Sequence, residues 1–211
     1  MIRFIPATDL PLYPRLRDTM FRDRADQFRT RLGWDVTIDD TGAERDEYDR
    51  ETPLYVIWEN EDGTHGGSMR VLPTSGPTML NDHFVHLLQN RPIRNDKIWE
   101  CTRFCLARGA SPQVSGALLL AGLELGLGHD LTFSVGIFDA RMVRIYGRLG
   151  WEPMVLASQG EGRDAISVGL WHFSEDAADL VAERAGFTRA QSRAWYDEAF
   201  EPRVAKLARI A

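Results

Sequence analysis

Between Phe21 and Trp34 the chain reads FRDRADQFRTRLGW, and a carboxylate-rich segment, Glu44-Arg-Asp-Glu-Tyr-Asp49, follows it. Further charged groups recur at Arg70, Glu100 and Arg103. So many charges beside large aromatics make poor core material. They make a good grip on a small zwitterion that carries a cationic centre. A carboxylate attracts an ammonium or a sulfonium, a guanidinium forks onto a carboxylate, and an aromatic face accepts a cation or a purine. Arg24, Phe28, Trp34, Asp46, Asp49, Arg70, Glu100 and Arg103 are therefore candidate site residues. Each also has a plainer reading. Phe28 shares a helical stripe with Phe21, Ala25 and Leu32, which fits core packing at least as well. An isolated Asp-x-x-Asp is ordinarily a solvated loop, and Glu100 can simply pair with Arg103.

The elements that must position these residues follow from periodicity and punctuation. Ile2 to Pro6 reads as a short strand. A helix from about Leu12, with Pro14 in its first turn, carries the Phe21 stripe and stops at Gly33. Residues 35–52 are polar and aperiodic, a long loop of the kind that is usually functional or mobile, and we expect it to cover the substrate or to move. Leu54–Trp58 and Gly67–Leu72 are strands joined by a turn ending in Asp-Gly. Met79 to Leu88 reads as a short helix. Ile98 to Leu106 is a strand whose strict alternation puts Trp99, Cys101, Arg103 and Cys105 on one face and Glu100, Thr102 and Phe104 on the other.

Ser111 and Pro112 open the clearest helix, with Val114, Leu118, Ala121 and Leu125 as its buried stripe and Gly128 at its end. Leu131–Phe138 is a strand. Asp139 caps a helix with Met142, Val143, Tyr146 and Leu149 inward, closed by Gly150. Trp151–Ala157 and Ile166–Phe173 are strands. One helix starts at Ser174 and stops near Gly186, and another opens with the Thr188-Arg-Ala-Gln191 capping box. This order predicts an α/β fold, an α-β-α sandwich with a central twisted mixed sheet and helices on both faces. We expect one domain over 1–211.

Composition narrows the function. An apolar fraction of 44% and a charged fraction of 27% are ordinary for a globular chain. The net charge of -6 argues against general nucleic-acid binding. The N-terminus has no signal-peptide core, and Ala117–Leu127 is too short and too interrupted to span a bilayer, so a cytoplasmic protein without membrane contact is expected. Cys101 and Cys105, four apart, share a face on this reading and lack the companions of a zinc site; we expect packed thiols and no metal.

Two resemblances sharpen the picture. Ala140–Trp151, ARMVRIYGRLGW, resembles the last helix-turn-strand of the Gcn5-related acyltransferase fold. Arg108-Gly-Ala-Ser-Pro112, however, departs from the Arg/Gln-x-x-Gly-x-Gly/Ala loop with which acetyl-CoA enzymes of that fold hold a pyrophosphate on backbone N–H groups. The N-terminal half is similar to the acyl-homoserine-lactone synthases, the bacterial quorum-sensing autoinducer synthases. Five motifs recur in that family's order: Arg24-x3-Phe28-x5-Trp34, Glu44-x-Asp46-x-x-Asp49, Arg70-x-Leu72-Pro73-Thr74, Pro77-x-Met79-Leu80-x-Asp82-x-Phe84, and Trp99-Glu100-x-x-Arg103-Phe104. Cys101-Thr102 stands where the family commonly shows a hydrophobic residue and Ser; a hydroxyl is retained.

The second resemblance implies a bacterial enzyme with two substrates, S-adenosylmethionine and an acyl thioester on acyl carrier protein or CoA. The methionine amine would attack the thioester carbonyl; its carboxylate would then attack its own γ-carbon, expel methylthioadenosine and close a lactone. No cofactor is expected, because the sulfonium is already an activated leaving group. The implied catalytic residues are Glu100, as a base acting directly or through water, and Arg103. The implied substrate-binding residues are Arg24, Phe28, Trp34, Asp46, Asp49, Arg70, Phe84, Thr102, Phe104 and Gly136. Gly136 aligns with a position where the family's Thr goes with 3-oxo chains, which favours an unsubstituted chain. Arg141, Arg144 and Arg148 form a basic stripe suited to an acidic carrier protein, or a solvated face. An ordinary acetyl-CoA-dependent N-acetyltransferase and a non-catalytic small-molecule sensor on the same fold are the rival readings.

Overall fold

A computed structural model describes residues 1–162 and 165–200. Its centre is one seven-stranded sheet. β1 (Ile2–Pro6), β2 (Leu54–Glu59), β3 (His65–Pro73) and β4 (Ile98–Leu106) are successive antiparallel neighbours. β5 (Phe133–Asp139) lies parallel to β4, and β7 (Ile166–His172) and β6 (Met154–Gln159) complete the order β1-β2-β3-β4-β5-β7-β6. On one face, α1 (Pro14–Ala25) packs on β3 and β4. On that side too, Leu80 of the short α2 (Met79–His83) packs with Val135 and Val168. On the other face α3 (Gln113–Gly128) crosses β1, β2 and β3, and α5 (Glu175–Ala185) and α6 (Arg189–Phe200) pack against α3. α4 (Val143–Leu149) meets α5. The expected mixed sheet with helices on both faces is therefore present.

Four local expectations are corrected. α3 is buried on every side from Val114 to Gly126, not along one stripe, because the sheet covers one flank and α5 and α6 cover the other. Val143 is 56% exposed, because α4 starts only after the turn that Asp139 caps by accepting from the Arg141 N–H; Tyr146 and Leu149 face inward as expected. The helix read over Met79–Leu88 breaks at Phe84 into α2 and a 3-10 turn, Val85–Leu88. After Ala25 the first helix widens into a π-helical turn, Asp26–Arg31.

The largest correction lies in β4. Thr102 pairs with Arg70 and Cys105 with Ser68, so two residues of β4 oppose the single Met69. This is a β-bulge, and Arg103 absorbs it with φ +54°. The bulge inverts the alternation. Arg103 joins Glu100 and Thr102 on the α1 face, and Phe104 turns to the α3 face, where it packs against the two apolar clusters that flank that helix. Cys101 and Cys105 consequently lie on opposite faces, contrary to the four-residue spacing. Both thiols are free, and burial pushes the Cys101 thiol up to about 12.

Close approach of α3 to its neighbours depends on two glycines. A Cβ on Gly126 would enter the Phe173 ring, and one on Gly128 the Tyr196 ring. Gly126→Ala is expected to lower stability by about 1–3 kcal/mol through overpacking. A denaturant midpoint equal to that of the unsubstituted protein would refute this account of the α3 packing.

Candidate active site

Six charged side chains from four segments close into a ring on the α1 face. Arg24, on the last turn of α1, sends Nε to Glu44 at 2.6 Å and forks onto Asp49 with both terminal nitrogens at 2.9 Å. Arg70, on β3, forks onto Asp46, touches Asp49 at 2.9 Å and donates Nε to Thr102 at 3.1 Å. Arg103, lifted by its bulge, reaches Glu44 at 3.0 Å and Asp46 at 2.7 Å. The order Arg24, Glu44, Arg103, Asp46, Arg70, Asp49 and back to Arg24 alternates sign at every step. The three formal charges of each sign cancel.

Burial orders the ring from back to front. The side chains of Arg24 and Arg70 are 1% and 0% exposed; those of Arg103 and Asp46 are each 11% exposed. Desolvation alone would lift the Asp49 carboxyl. The Arg24 charge and its hydrogen bonds, with Arg70 behind them, outweigh it and hold Asp49 well below the ordinary carboxylate range. Burial would correspondingly depress Arg24, and its two carboxylate partners overcome that and raise it. Residues 44–50 are held as a structured loop: Asp46 and Asp49 cap each other's backbone around a 3-10 turn at Glu47–Arg50, and Tyr55 donates its hydroxyl to Asp49 at 2.7 Å. A cavity of about 780 Å³ opens behind this loop, bordered by Arg17, Phe21, Arg45, Asp46, Asp49 and Tyr55. Glu100, Arg103 and Trp34 do not line it.

Glu100 sits beside the ring on the same face of β4 as Thr102. It is 1% exposed and accepts the Met79 N–H at 3.0 Å and the Leu80 N–H at 2.6 Å. Burial raises its carboxyl to about 7; those two N–H groups and the Arg70 charge pull the other way. α2 is tied back to the loop, since Tyr48 donates to Asp82 at 3.0 Å and His83 meets Glu47 at 2.8 Å. β4 pairs with β5 only at Ile98↔Phe133, Trp99↔Ser134 and Glu100↔Val135. Beyond Glu100 the ladder between the two parallel strands ends, and this unpaired stretch, the β4–β5 wedge, begins on β5 at Gly136.

Aromatic residues complete the surroundings. Phe28 is 2% exposed and lies between Trp34, stacked at 5.2 Å with an interplanar angle of 4°, and the Arg103 guanidinium, 5.4 Å from its ring centre. Phe28 is thus packed against both an aromatic and a guanidinium. Trp34 is 41% exposed and keeps its outer face open. Phe84 packs with Leu80, Val135 and Val168 on the α2 side of the sheet, whereas Phe104 packs on the α3 side.

The sequence-predicted residues thus fall into two groups. Arg24, Arg70, Arg103, Asp46, Asp49, Thr102, Glu100, Phe28 and Trp34 converge on one region. Phe84, Phe104 and Gly136 belong to the wedge and its flanks. Glu44 stood in a recognised motif without a role, and it is the carboxylate that joins Arg24 to Arg103. Tyr48 and Tyr55 were also missed; a Tyr next to Asp49 in so charged a segment was the available signal for the first. No group of His, Cys, Asp and Glu suited to a metal occurs among the described residues.

Removing one carboxylate from the ring leaves buried guanidinium charge uncompensated. Asp49→Asn is expected to cost about 3–5 kcal/mol in urea unfolding. Because the folded pKa of Asp49 is depressed, its contribution is present above the ordinary carboxylate range and is lost as pH falls. The variant should therefore show a flatter acid limb of stability. A variant as stable as the original at pH 7 would rule out the ring as a structural unit.

Comparison with known proteins places this arrangement. The sequence profile of the family described as autoinducer synthase matches residues 12–180. The acyl-homoserine-lactone synthase of Rhizobium etli is 41% identical over 184 residues, covering 83% of this chain and 86% of that protein. Among solved structures, the CoA-dependent acyl-homoserine lactone synthase MesI superposes with a TM-score of 0.78 at 25% identity, over 89% of this chain and 96% of that one. BjaI, a CoA-dependent synthase solved with SAM and isopentyl-CoA, superposes with a TM-score of 0.79 at 24% identity, over 89% and 90%; at that identity the likeness speaks for the fold. Matching profile, relative and fold show that this chain belongs to the autoinducer synthase family and is an acyltransferase of the acyl-homoserine-lactone synthase type.

Proposed function

We propose that this synthase joins S-adenosylmethionine to an acyl group carried by acyl carrier protein, at the point where Glu100 and the front of the ionic ring meet the β4–β5 wedge. The parting of the strands directly after Glu100 carries this reading. A carboxylate raised to about 7 lies at the last paired position of the two strands, and we place the thioester beside it.

In the first step the substrate amine attacks the thioester carbonyl. Glu100 takes the amine proton, directly or through a water, and the departing thiolate leaves with a proton as a thiol. A free α-amine has a pKa near ~8, and the neighbouring sulfonium lowers it, so a base of about 7 is strong enough. In the second step the substrate carboxylate attacks its own γ-carbon; the C–S bond breaks, methylthioadenosine leaves and the lactone closes. Folding the substrate correctly supplies much of this intramolecular step. The sulfonium is its own leaving group, so the reading needs no metal or cofactor.

On this reading the residues divide the work as follows. Arg103, the least buried guanidinium of the ring, meets the substrate carboxylate. Asp46 and Asp49 attract the ammonium and the sulfonium. Arg24 and Arg70 stand behind and hold those carboxylates in place, with Thr102 fixing Arg70. Trp34 offers its open face to the adenine, and Phe28 backs it. Phe84, Phe104 and Gly136 follow the acyl chain. No helix among the described residues is long and apolar enough to cross a membrane; both substrates are cytoplasmic metabolites, and we place the enzyme in the bacterial cytoplasm.

The carrier-protein donor is favoured by the exposed Arg141, Arg144 and Arg148 on and before α4, a positive face for an acidic partner. It is also favoured by Arg108–Pro112, where a proline with no N–H stands just before α3. The second reading, an acyl-CoA donor, is favoured by the CoA dependence named for MesI and BjaI.

Incubation with S-adenosylmethionine and a panel of acyl-carrier and acyl-CoA thioesters, followed by product masses, decides between them. The expected result is methylthioadenosine release coupled to an acyl lactone, with kcat/KM higher for the carrier-bound donor. Arg144→Glu with Arg148→Glu should raise KM for the carrier-bound donor by at least about tenfold and leave acyl-CoA unaffected; a preference for acyl-CoA would establish the second reading. In a pH series, kcat/KM should climb through about 7 as Glu100 ionises. Glu100→Gln should abolish that limb and lower kcat by about 10²–10⁴. An unchanged pH profile in the variant would exclude Glu100 as the base.

A further inference from the structure

The cavity of about 780 Å³ behind the 44–50 loop lies apart from the reacting groups. Tyr55 of β2 borders it, and Ala7, Leu10 and Pro11, just beyond β1, form one of its walls. In the strand order β1-β2-β3-β4-β5 those elements stand two or more strands away from the β4–β5 wedge. The loop itself supplies another wall, and the loop is two-faced. Glu44, Asp46 and Asp49 serve the ring. Arg45 and Arg50, each next in sequence to one of them, line the cavity, and Arg17 of α1 joins them there.

Charge pairing around this space is lopsided. Each of its four carboxylates is already held by the protein. Asp46 and Asp49 belong to the ring. Asp39 accepts the Thr41 hydroxyl at 2.6 Å and the Thr41 and Ala43 N–H groups at 2.9 and 3.1 Å. Glu47 meets His83 at 2.8 Å. The guanidinium groups are held less firmly. Arg17 pairs with its chain neighbour Asp18 at 2.8 Å. Arg45 is 48% exposed, and its ion pair with Asp39 is loose at 3.8 Å. The Phe21 ring, whose centre is 4.5 Å away, gives that guanidinium a fixed platform. Arg50 is exposed and has no hydrogen-bond or ion-pair partner among the described residues. An entering anion therefore meets free guanidinium donors and carboxylates whose own needs are satisfied.

Guanidinium groups fork onto phosphate oxygens, and three of them suit a multiply charged group better than a single carboxylate. The volume falls within the roughly 300–1,000 Å³ of small-molecule sites, far more than a phosphate alone requires. Ala7, Leu10 and Pro11 give the surplus space an apolar wall on which a flat base can rest. We propose that this cavity is a second ligand site, separate from the reacting groups, and that it takes a nucleoside diphosphate. Arg17, Arg45 and Arg50 hold the diphosphate, and the base lies against Ala7, Leu10 and Pro11. The site is the same whichever acyl donor the enzyme uses.

The test is isothermal titration calorimetry of the full chain with ADP and with GDP, in the presence and absence of saturating S-adenosylmethionine. At least one nucleotide should bind at one site per chain with a Kd below about 1 mM, and S-adenosylmethionine should not displace it. The parent nucleoside should bind at least about tenfold more weakly, because it lacks the charged group that the arginines hold. Arg50→Glu and Arg45→Gln should each weaken the nucleotide by at least about tenfold. Arg50 is exposed and unpaired, so Arg50→Glu keeps the fold, with an unchanged melting temperature as the check; it decides the outcome should Arg45→Gln fail to fold. Absence of binding by both nucleotides up to about 10 mM, an unchanged affinity in Arg50→Glu, or displacement by S-adenosylmethionine overturns the proposal.

Discussion

Three guanidinium groups and three carboxylates out of water impose the strictest condition in this molecule. Each ion carries a desolvation cost of several kcal/mol, offset only when every neighbour of opposite sign is in place. A closed alternating ring satisfies that condition, and an open chain of the same residues would leave a buried charge at each end. The ring draws on α1, the 44–49 loop, β3 and β4, so those four segments cannot take their places independently. The polar, aperiodic stretch after Trp34 is ordered for this reason. Its three carboxylates are the only groups in the ring that neutralise Arg24, Arg70 and Arg103.

A neutral ring has little net field at a distance. Its field is local: at the partly exposed edges, Arg103 and Asp46, one sign dominates, fixed in direction by the buried members behind them. Glu100 stands where this polar half of the site meets the apolar half. Among the described residues it has no guanidinium partner of its own and is held by two backbone N–H groups, which orient it without binding its proton affinity to a salt bridge. Burial can then set its carboxyl near neutrality, in contrast to Asp49 a few ångströms into the ring, which burial fails to raise because two arginines face it. Environment thus separates two chemically similar acids, lifting one toward neutrality and holding the other as an anion.

Much of this was legible in the chain. The capping box Thr188–Gln191 forms with both reciprocal bonds, at 2.8 and 3.2 Å, and Ser174 caps α5 as its position implied. Local hydrogen-bonding geometry is encoded within a few residues, so it can be read there. Convergence of Arg24, Asp46, Asp49, Arg70 and Arg103 was also legible, through motifs that hold their order, although spacing alone could not tell a buried ring from a solvated loop. What escaped depended on partners distant in sequence. Alternation through Ile98–Leu106 was wrong from Arg103 onward because the bulge is set by pairing with Ser68 and Arg70, not by β4 itself. α3 showed one apolar stripe because Gly116, Gly126 and Gly128 carry no hydropathy signal, yet they are where neighbouring segments press closest on it. The π turn after Ala25 had no local marker at all.

The left-handed residue in β4 has a consequence for how this strand can vary. That strand is two half-strands of opposite phase, and Arg103 is the joint. Inserting or deleting one residue between Thr102 and Arg103 would re-phase the downstream half, sending the guanidinium toward α3 and Phe104 toward the acidic loop. Transplanting the segment between homologues is safe only when the extra residue travels with it. The strand's length, rather than the identity of most of its side chains, is the quantity such exchanges must preserve.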